Sequence, residues 1–150
     1  MGYIEAICIS EKKGTVKKQI PRARFIEDFG IEGDAHAGKW HRQVSLLAGE
    51  SIDRIKEKMP SLAIGAFAEN LIVRGIDVLS LRIGDRLRIG ENILLEVTQI
   101  GKECHNACAI KKTTGDCIMP REGIFTRVLS GGDCAAGAPI ELVPQEETVT

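Results

Sequence analysis

Residues 86–100, Arg86-Leu-Arg-Ile-Gly-Glu-Asn-Ile-Leu-Leu-Glu-Val-Thr-Gln-Ile100, decide the fold. Two apolar runs with alternating character flank the turn-forming triplet 90–92, a pattern that predicts a β-hairpin. In the first strand Leu87 and Ile89 fall on one face, and Arg86 and Arg88 fall on the other. The segment therefore predicts a sheet with one face in a core and the other in water.

Working outward, further short apolar runs punctuated by glycine predict strands on both sides of this hairpin. The predicted strands span residues 3–10, 15–20, 44–48, 70–74 and 139–143. About seven short strands with glycine between them favour a closed or nearly closed barrel. The fold class expected from the pattern is mainly β.

Two helices are also predicted. The first begins near Glu50, carries apolar residues at spacings of three and four, and ends at Pro60, so we expect it to pack across the barrel. The second is expected after Pro120, because proline suits a first helical turn and a glycine pair at 131–132 follows. Its apolar residues are Ile124, Phe125, Val128 and Leu129.

Composition sets broad limits on the class of protein. The 150 residues are 43% hydrophobic and 27% charged, with a formal net charge of -1, so global charge gives no reason to expect nucleic acid or membrane as a partner. We expect one domain over residues 1–143 and a flexible tail over 144–150. The N-terminus carries Glu5 where a signal peptide would place basic residues followed by an apolar core, which predicts a cytoplasmic protein. The odd count of five cysteines without such a leader favours reduced thiols.

Three of the five thiols, Cys104, Cys108 and Cys117, fall in residues 101–117, the cysteine segment. Lysines at 102, 111 and 112 and His105 surround them, and nearby cations favour thiolates. We therefore expect at least one reactive thiol here. A zinc site using the three sulfurs and His105 is a weaker alternative, because the first pair has Cys-x3-Cys spacing. A disulfide between Cys104 and Cys108 is equally disfavoured in a reducing compartment.

Cys8 and Cys134 have apolar or small neighbours and are interpreted as packing residues, with Cys134 in a turn before the last strand. The paired lysines at 12–13 and 17–18 are interpreted as a solvated hairpin face. Glu69 is expected to bind backbone N–H groups rather than to act as an acid or base, while Phe67 and Leu71 pack.

The glycine-rich loop, residues 29–42, concentrates basic side chains and the only tryptophan. Its candidate ligand-binding residues are His36, Lys39, His41 and Arg42. Glycine has no side chain to cover the backbone N–H groups. Basic side chains beside such exposed N–H groups favour the binding of an anion such as phosphate. A metal shared by the two histidines is less favoured, since their spacing is neither helical nor strand-like.

Several motifs in the same order resemble those of the MOSC domain family, which is named for the C-terminal part of molybdenum cofactor sulfurases. They are Gly30-Ile-Glu-Gly-Asp-Ala-His-Ala-Gly38, Arg42-Gln-Val-Ser-Leu46, Gly65-Ala-Phe-Ala-Glu-Asn-Leu71, Ile83-Gly-Asp85, Cys104 to Cys108, and Pro120-Arg-Glu-Gly-Ile-Phe125. The resemblance covers residues 1–143. It implies a barrel-like β fold with a few short peripheral helices.

The resemblance also implies a role in handling sulfur or the molybdenum cofactor, molybdopterin. Cys108 matches the family's marked cysteine best, and Cys104 and Cys117 remain alternatives. One hypothesis is a sulfur carrier that takes persulfide sulfur from a cysteine desulfurase or another cofactor-biosynthesis protein, with no pyridoxal phosphate of its own.

The other hypothesis is a molybdenum cofactor-binding module or reductase component, with Cys108 as the metal ligand. The cofactor-binding residues expected from the glycine-rich loop are then joined by Lys102, His105 and Arg121. Whether the protein is an enzyme, such as a sulfurtransferase, and its oligomeric state stay open.

Overall fold

A computed structural model describes residues 2–12, 17–61, 64–65, 67, 69–101 and 123–143. In this part of the chain the architecture is mainly β. The strands are β1 (Gly2–Ile9), β2 (Lys18–Ile20), β3 (Arg22–Ile26), β4 (Gly30–Ile31), β5 (Val44–Ala48), β6 (Leu71–Arg74), β7 (Arg86–Ile89), β8 (Ile93–Ile100), β9 (Ile124–Ser130), β10 (Gly132–Ala135) and β11 (Pro139–Val143). One helix, α1 (Gly49–Lys56), and a 3₁₀ turn (Val78–Ser80) complete the described elements.

Seven of the strands close into a barrel in the order β1-β6-β5-β9-β8-β7-β11. Closure comes from β1, whose first residues pair with β11 through Gly2 opposite Ile140 and whose later residues pair with β6. All neighbours are antiparallel except β5 and β6. Closing the sheet pairs strand edges that would otherwise be exposed. The prediction of a β-barrel is confirmed.

The hairpin at the centre of the sequence argument is confirmed with its predicted bounds. Strands β7 and β8 pair with Ile89 opposite Ile93. Leu87 and Ile89 are 0% and 1% exposed in the barrel core. The arginines face outward, where Arg86 lies 3.5 Å from Glu96. Alternation therefore identified both the strand and its buried face.

The predicted second helix is wrong in its described part, because Ile124–Ser130 is strand β9, between β5 and β8. Ile124 and Val128 pack inside the barrel, while Phe125 packs outside it in the cluster beneath α1. Both faces of the strand are thus largely apolar, which removes the alternation that marks a half-buried strand. Pro120, the predicted start, lies outside the described residues.

Helix α1 begins one residue before its predicted start and ends at Lys56, before Pro60. Ile52 and Ile55 pack on the outer surface of the barrel with Phe67, as predicted. In the described residues, no helix has both the length and the apolar character needed to cross a membrane.

A second sheet, β10-β3-β4, lies beside the barrel and was not predicted. Glycine is required where β9 leads into β10, because a Cβ at Gly131 would overlap the carbonyl oxygen of Phe25. Cys134 lies in β10, not in a turn, and is 6% exposed. This sheet matters for the site because β4 is part of the glycine-rich loop.

Candidate functional site

The glycine-rich loop is fastened at several points to the body of the protein. Gly38 N–H donates to the Phe29 carbonyl at 2.7 Å, and Ala35 N–H donates to the Ser10 carbonyl at 2.7 Å. Gly30 has a φ of 126°, and a Cβ there would lie 2.9 Å from a backbone oxygen. The loop therefore holds its basic side chains on a defined backbone.

Lys17 corrects the prediction of a solvated lysine face. Lys18 is exposed as expected, but Lys17 is 1% exposed. Its Nζ donates to Asp34 Oδ1 at 2.6 Å and to Ser10 Oγ at 3.2 Å, and it lies 2.9 Å from His36 Nδ1. Adjacent residues in an extended chain face opposite sides. Lys18 therefore faces solvent while Lys17 faces the interior, where the buried Asp34 carboxylate pairs with its ammonium group.

Asp34 is the centre of this buried cluster. Its Oδ1 also accepts the Ser10 N–H at 3.1 Å, and its Oδ2 accepts the His36 N–H at 3.2 Å. The carboxylate therefore joins the end of β1, the buried lysine and the glycine-rich loop. Sequence reasoning missed this role, because a single aspartate that follows a glycine is typical of any turn.

An aromatic and cationic stack follows the cluster along the loop. The Trp40 indole N–H donates to the His36 carbonyl at 2.7 Å, and the two rings are stacked with centroids 6.3 Å apart. The Arg42 guanidinium lies 4.9 Å from the Trp40 centroid and 5.7 Å from that of Phe125. Cation–π contact of this kind holds the guanidinium, whose buried Nε has no hydrogen-bond partner among the described residues.

A half-open cavity of about 360 Å³ lies beside this stack. It is lined by Asp28, Lys39, Trp40, His41, Thr98 and Arg127. Basic groups outnumber the single carboxylate, and the indole supplies a flat apolar wall, a combination that suits an anionic ligand with a planar part. Sequence reasoning found Lys39 and His41 but missed Arg127, which comes from β9, far along the chain.

A larger cleft of about 500 Å³ lies on the second sheet, lined by Arg22, Ala23, Arg24, Glu32 and Asp133. Its Arg24 forms an exposed ion pair with Asp133 at 3.2 Å. Since the cleft has no aromatic wall and its charges are mixed, it is the weaker candidate.

The cavity is joined to the point where the cysteine segment leaves the barrel. A ring nitrogen of His41 lies 2.8 Å from Gln99 Oε1, and Gln99 Nε2 donates to the Gly101 carbonyl at 2.7 Å. Gly101 N–H in turn donates to the Gly123 carbonyl at 2.7 Å. The chain therefore leaves and re-enters the barrel beside His41.

Other predicted site residues lie outside the described part of the chain: Lys102, Cys104, His105, Cys108, Cys117 and Arg121. Their roles stay predictions. Among the residues that are described, no group of three or more His, Cys, Asp or Glu side chains could hold a metal ion.

Cys8 and Cys134, the two cysteines that the structure describes, are poor nucleophiles. This agrees with their interpretation as packing residues. Cys8 is fully buried, and burial together with nearby Glu69 raises the pKa of its thiol to about 12. Burial raises the pKa of the Cys134 thiol to about 11. Because the thiolate is the reactive form, neither cysteine is suited to sulfur chemistry at neutral pH.

The prediction for Glu69 is confirmed. Its Oε2 accepts the Gly65 N–H at 3.0 Å and its Oε1 accepts the Phe67 N–H at 3.1 Å. The carboxylate is 0% exposed and closes the turn before β6. Phe67 and Leu71 are buried, also as predicted. Burial raises the pKa of Glu69 above its ordinary value, against the opposing effect of these backbone hydrogen bonds.

The change Glu69→Gln is expected to lower the free energy of unfolding by about 1–3 kcal/mol, because the amide NH₂ cannot accept the second backbone N–H. With a raised folded-state pKa, Glu69 contributes stability that is present below pH 4.5 and lost as the pH rises. The difference in free energy of unfolding between the wild type and the variant, measured by urea titration, should therefore decrease as the pH rises from 4.5 toward neutrality. Exposed Glu57→Gln is the control, and sulfur uptake should stay unchanged in both.

The fold and site define a small closed β-barrel domain with a basic loop beside Gly101, the last described residue before the cysteines. The MOSC domain family matches residues 33–141, more than half of the chain, and the protein belongs to this family. No protein of curated function matches the chain in sequence.

Solved structures share the fold. The YuaD protein of Bacillus subtilis is 23% identical with a TM-score of 0.78, over 95% of this chain and 96% of that one. YiiM of Geobacillus stearothermophilus is 19% identical with a TM-score of 0.69, over 96% and 76% of the two chains. YiiM of Escherichia coli is 22% identical with a TM-score of 0.65, over 95% and 70%. At these identities the likeness shows the fold alone.

Proposed function

We propose that this protein is a sulfur carrier, in which a thiolate of the cysteine segment accepts persulfide sulfur and delivers it to a metal or pterin acceptor docked at the glycine-rich loop. The observation that carries the proposal is the chain of hydrogen bonds from His41 through Gln99 to Gly101. It brings the base of the cysteine segment to the edge of a basic cavity.

The reactive thiol is assigned to Cys108, with Cys104 and Cys117 as the alternatives. The thiolate attacks the outer sulfur of a donor persulfide, a new S–S bond forms, the donor's S–S bond breaks, and the donor cysteine leaves as a thiolate. The step involves no net oxidation or reduction. It needs an accessible thiolate, which burial denies to Cys8 and Cys134.

The cavity fits the acceptor that the family suggests. The molybdenum cofactor combines an anionic phosphate with a flat pterin. Lys39 and Arg127 would hold the phosphate, and the Trp40 side chain in the same lining would pack against the pterin. Arg127 retains N–H donors for this, although one nitrogen lies 3.7 Å from Glu96. The bound cofactor would supply the metal that takes the sulfur, a thiol reductant would supply the two electrons that convert persulfide sulfur to sulfide, and the carrier cysteine would leave as a thiolate.

The partner proposed as donor is a cysteine desulfurase or a protein of molybdenum cofactor biosynthesis. Such a desulfurase carries the pyridoxal phosphate that generates the persulfide, so this chain needs only a nucleophile and a docking surface. We place the protein in the cytoplasm, where free thiols are kept reduced.

The test is sulfur uptake. The purified protein is incubated with a cysteine desulfurase and cysteine, and intact-mass spectrometry is expected to show the gain of one sulfur atom, removed by dithiothreitol. Protein alkylated beforehand at its accessible thiols is the control and should gain nothing. If no cysteine gains sulfur under these conditions, the carrier proposal is wrong.

A second candidate function is a molybdenum cofactor-binding module or reductase component, with Cys108 as the metal ligand. The cavity with its indole wall and basic rim favours it. Expression with molybdate, followed by metal analysis and pterin fluorescence, separates the two. Metal-free protein that still accepts sulfur supports the carrier, whereas bound metal and pterin without sulfur uptake support the module.

A further inference from the structure

His36 connects the buried lysine cluster to the cavity, because its Nδ1 lies 2.9 Å from Lys17 Nζ and its ring stacks on Trp40, which lines the cavity. Lys17 has a fully buried side chain, so no ligand can reach its ammonium group. His36 is half-buried, and its ring stacks on Trp40. His36 therefore links the buried ammonium group to an aromatic residue of the cavity lining.

We propose that Lys17 is a positioning residue that holds His36 as a neutral imidazole with its proton on Nε2. An ammonium group has three donors and no acceptor. Those of Lys17 meet Asp34 Oδ1, Ser10 Oγ and His36 Nδ1. The Nδ1 atom must therefore accept, and a neutral ring with an acceptor at Nδ1 carries its proton at Nε2.

The reverse arrangement, a neutral lysine accepting from Nδ1–H, is excluded by the carboxylate. Asp34 Oδ1 lies 2.6 Å from Nζ, and this contact favours the charged ammonium group. An imidazolium ring would place its Nδ1–H against the N–H groups of Lys17, so protonation of His36 is opposed as well. Lys17 and Asp34 are charged groups in direct contact with His36, and the Arg42 guanidinium lies over the Trp40 ring on which His36 stacks.

Two consequences follow for the cavity. First, His36 contributes a neutral hydrogen-bond donor to the loop and no positive charge, so anion attraction rests on residues such as Lys39 and Arg127. Second, the fixed ring orients Trp40, whose indole N–H bonds the His36 carbonyl and whose ring stacks on the imidazole. The idea that a cofactor or sulfur acceptor uses this arrangement rests on the proposed function. The assignment of the His36 tautomer does not depend on it.

The experiment is long-range ¹H–¹⁵N NMR of the uniformly labelled protein between pH 5 and 8, with the His36 signals identified by their loss in His36→Gln. The expected pattern is a protonated Nε2 and an unprotonated Nδ1 that do not change across this range. An ordinary histidine titrates near pH 6.5. A proton on Nδ1, or ordinary titration of His36 in the wild type, would overturn the proposal.

A double variant, Lys17→Met with Asp34→Asn, removes both buried charges together. It avoids the destabilisation expected when a single substitution leaves one buried charge unpaired. In it, His36 should titrate near its ordinary pKa of about 6.5. The single indole N–H resonance, which belongs to Trp40, should shift in this variant and stay in place in exposed Lys18→Met. These signals need no ligand, so they are read equally well if sulfur uptake fails. An unmoved His36 titration in the double variant would also contradict the proposal.

Discussion

Replacing Lys17 by Met is expected to lower the free energy of unfolding by about 3–5 kcal/mol, the usual result of breaking a buried ion pair by removing one partner. The methionine fills a similar volume, so the loss reflects charge and hydrogen bonding and not a cavity. Asp34, which is 7% exposed, would be left as an uncompensated buried carboxylate. Urea unfolding followed by circular dichroism measures the change.

The adjacent lysine provides a matched control. Lys18 is exposed, so Lys18→Met should change the free energy of unfolding by no more than about 0.5 kcal/mol. Combining Lys17→Met with Asp34→Asn should recover part of the loss, because the second change removes the unpaired charge. A loss below about 1 kcal/mol in Lys17→Met would mean that the buried pair does not hold the loop.

Replacing Cys108 by Ala is expected to abolish sulfur uptake from the desulfurase, because we propose the Cys108 thiolate as the nucleophile. Cys134→Ala is the matched control, since that thiol is 6% exposed with a pKa of about 11 and should not contribute. Intact-mass spectrometry reads both variants. Loss of uptake in Cys104→Ala or Cys117→Ala, but not in Cys108→Ala, would assign the nucleophile to that other cysteine. Full uptake by a variant in which all three cysteines are replaced by alanine would contradict the mechanism.

The sequence allowed strands of the barrel to be predicted where turn residues bound an alternating or short apolar run. Strands β5, β7, β8 and β11 were predicted with their observed bounds, because alternation or a short apolar run between turn residues marks each of them. Strand β9 was mistaken for a helix since Phe125 is buried outside the barrel and Val128 inside it. Burial on two faces leaves an apolar spacing that also fits a helix.

The site was predictable only in its local part. The basic character of the glycine-rich loop is visible in the sequence, and it does line the cavity through Lys39 and His41. Arg127 and Thr98 join from other strands, which only the closed barrel brings there. The burial of Lys17 was missed because a lysine pair near a hairpin is usually solvated, and no local pattern reveals a distant carboxylate.

The central claim, a reachable thiolate beside the basic cavity, is tested most directly by timed alkylation at neutral pH with peptide-level mass spectrometry. The account predicts rapid labelling of a thiol in the cysteine segment, Cys108 first, with Cys8 and Cys134 labelled only after unfolding, because burial raises their pKa values to about 12 and about 11. Slow labelling of all three segment thiols in the folded protein would contradict it.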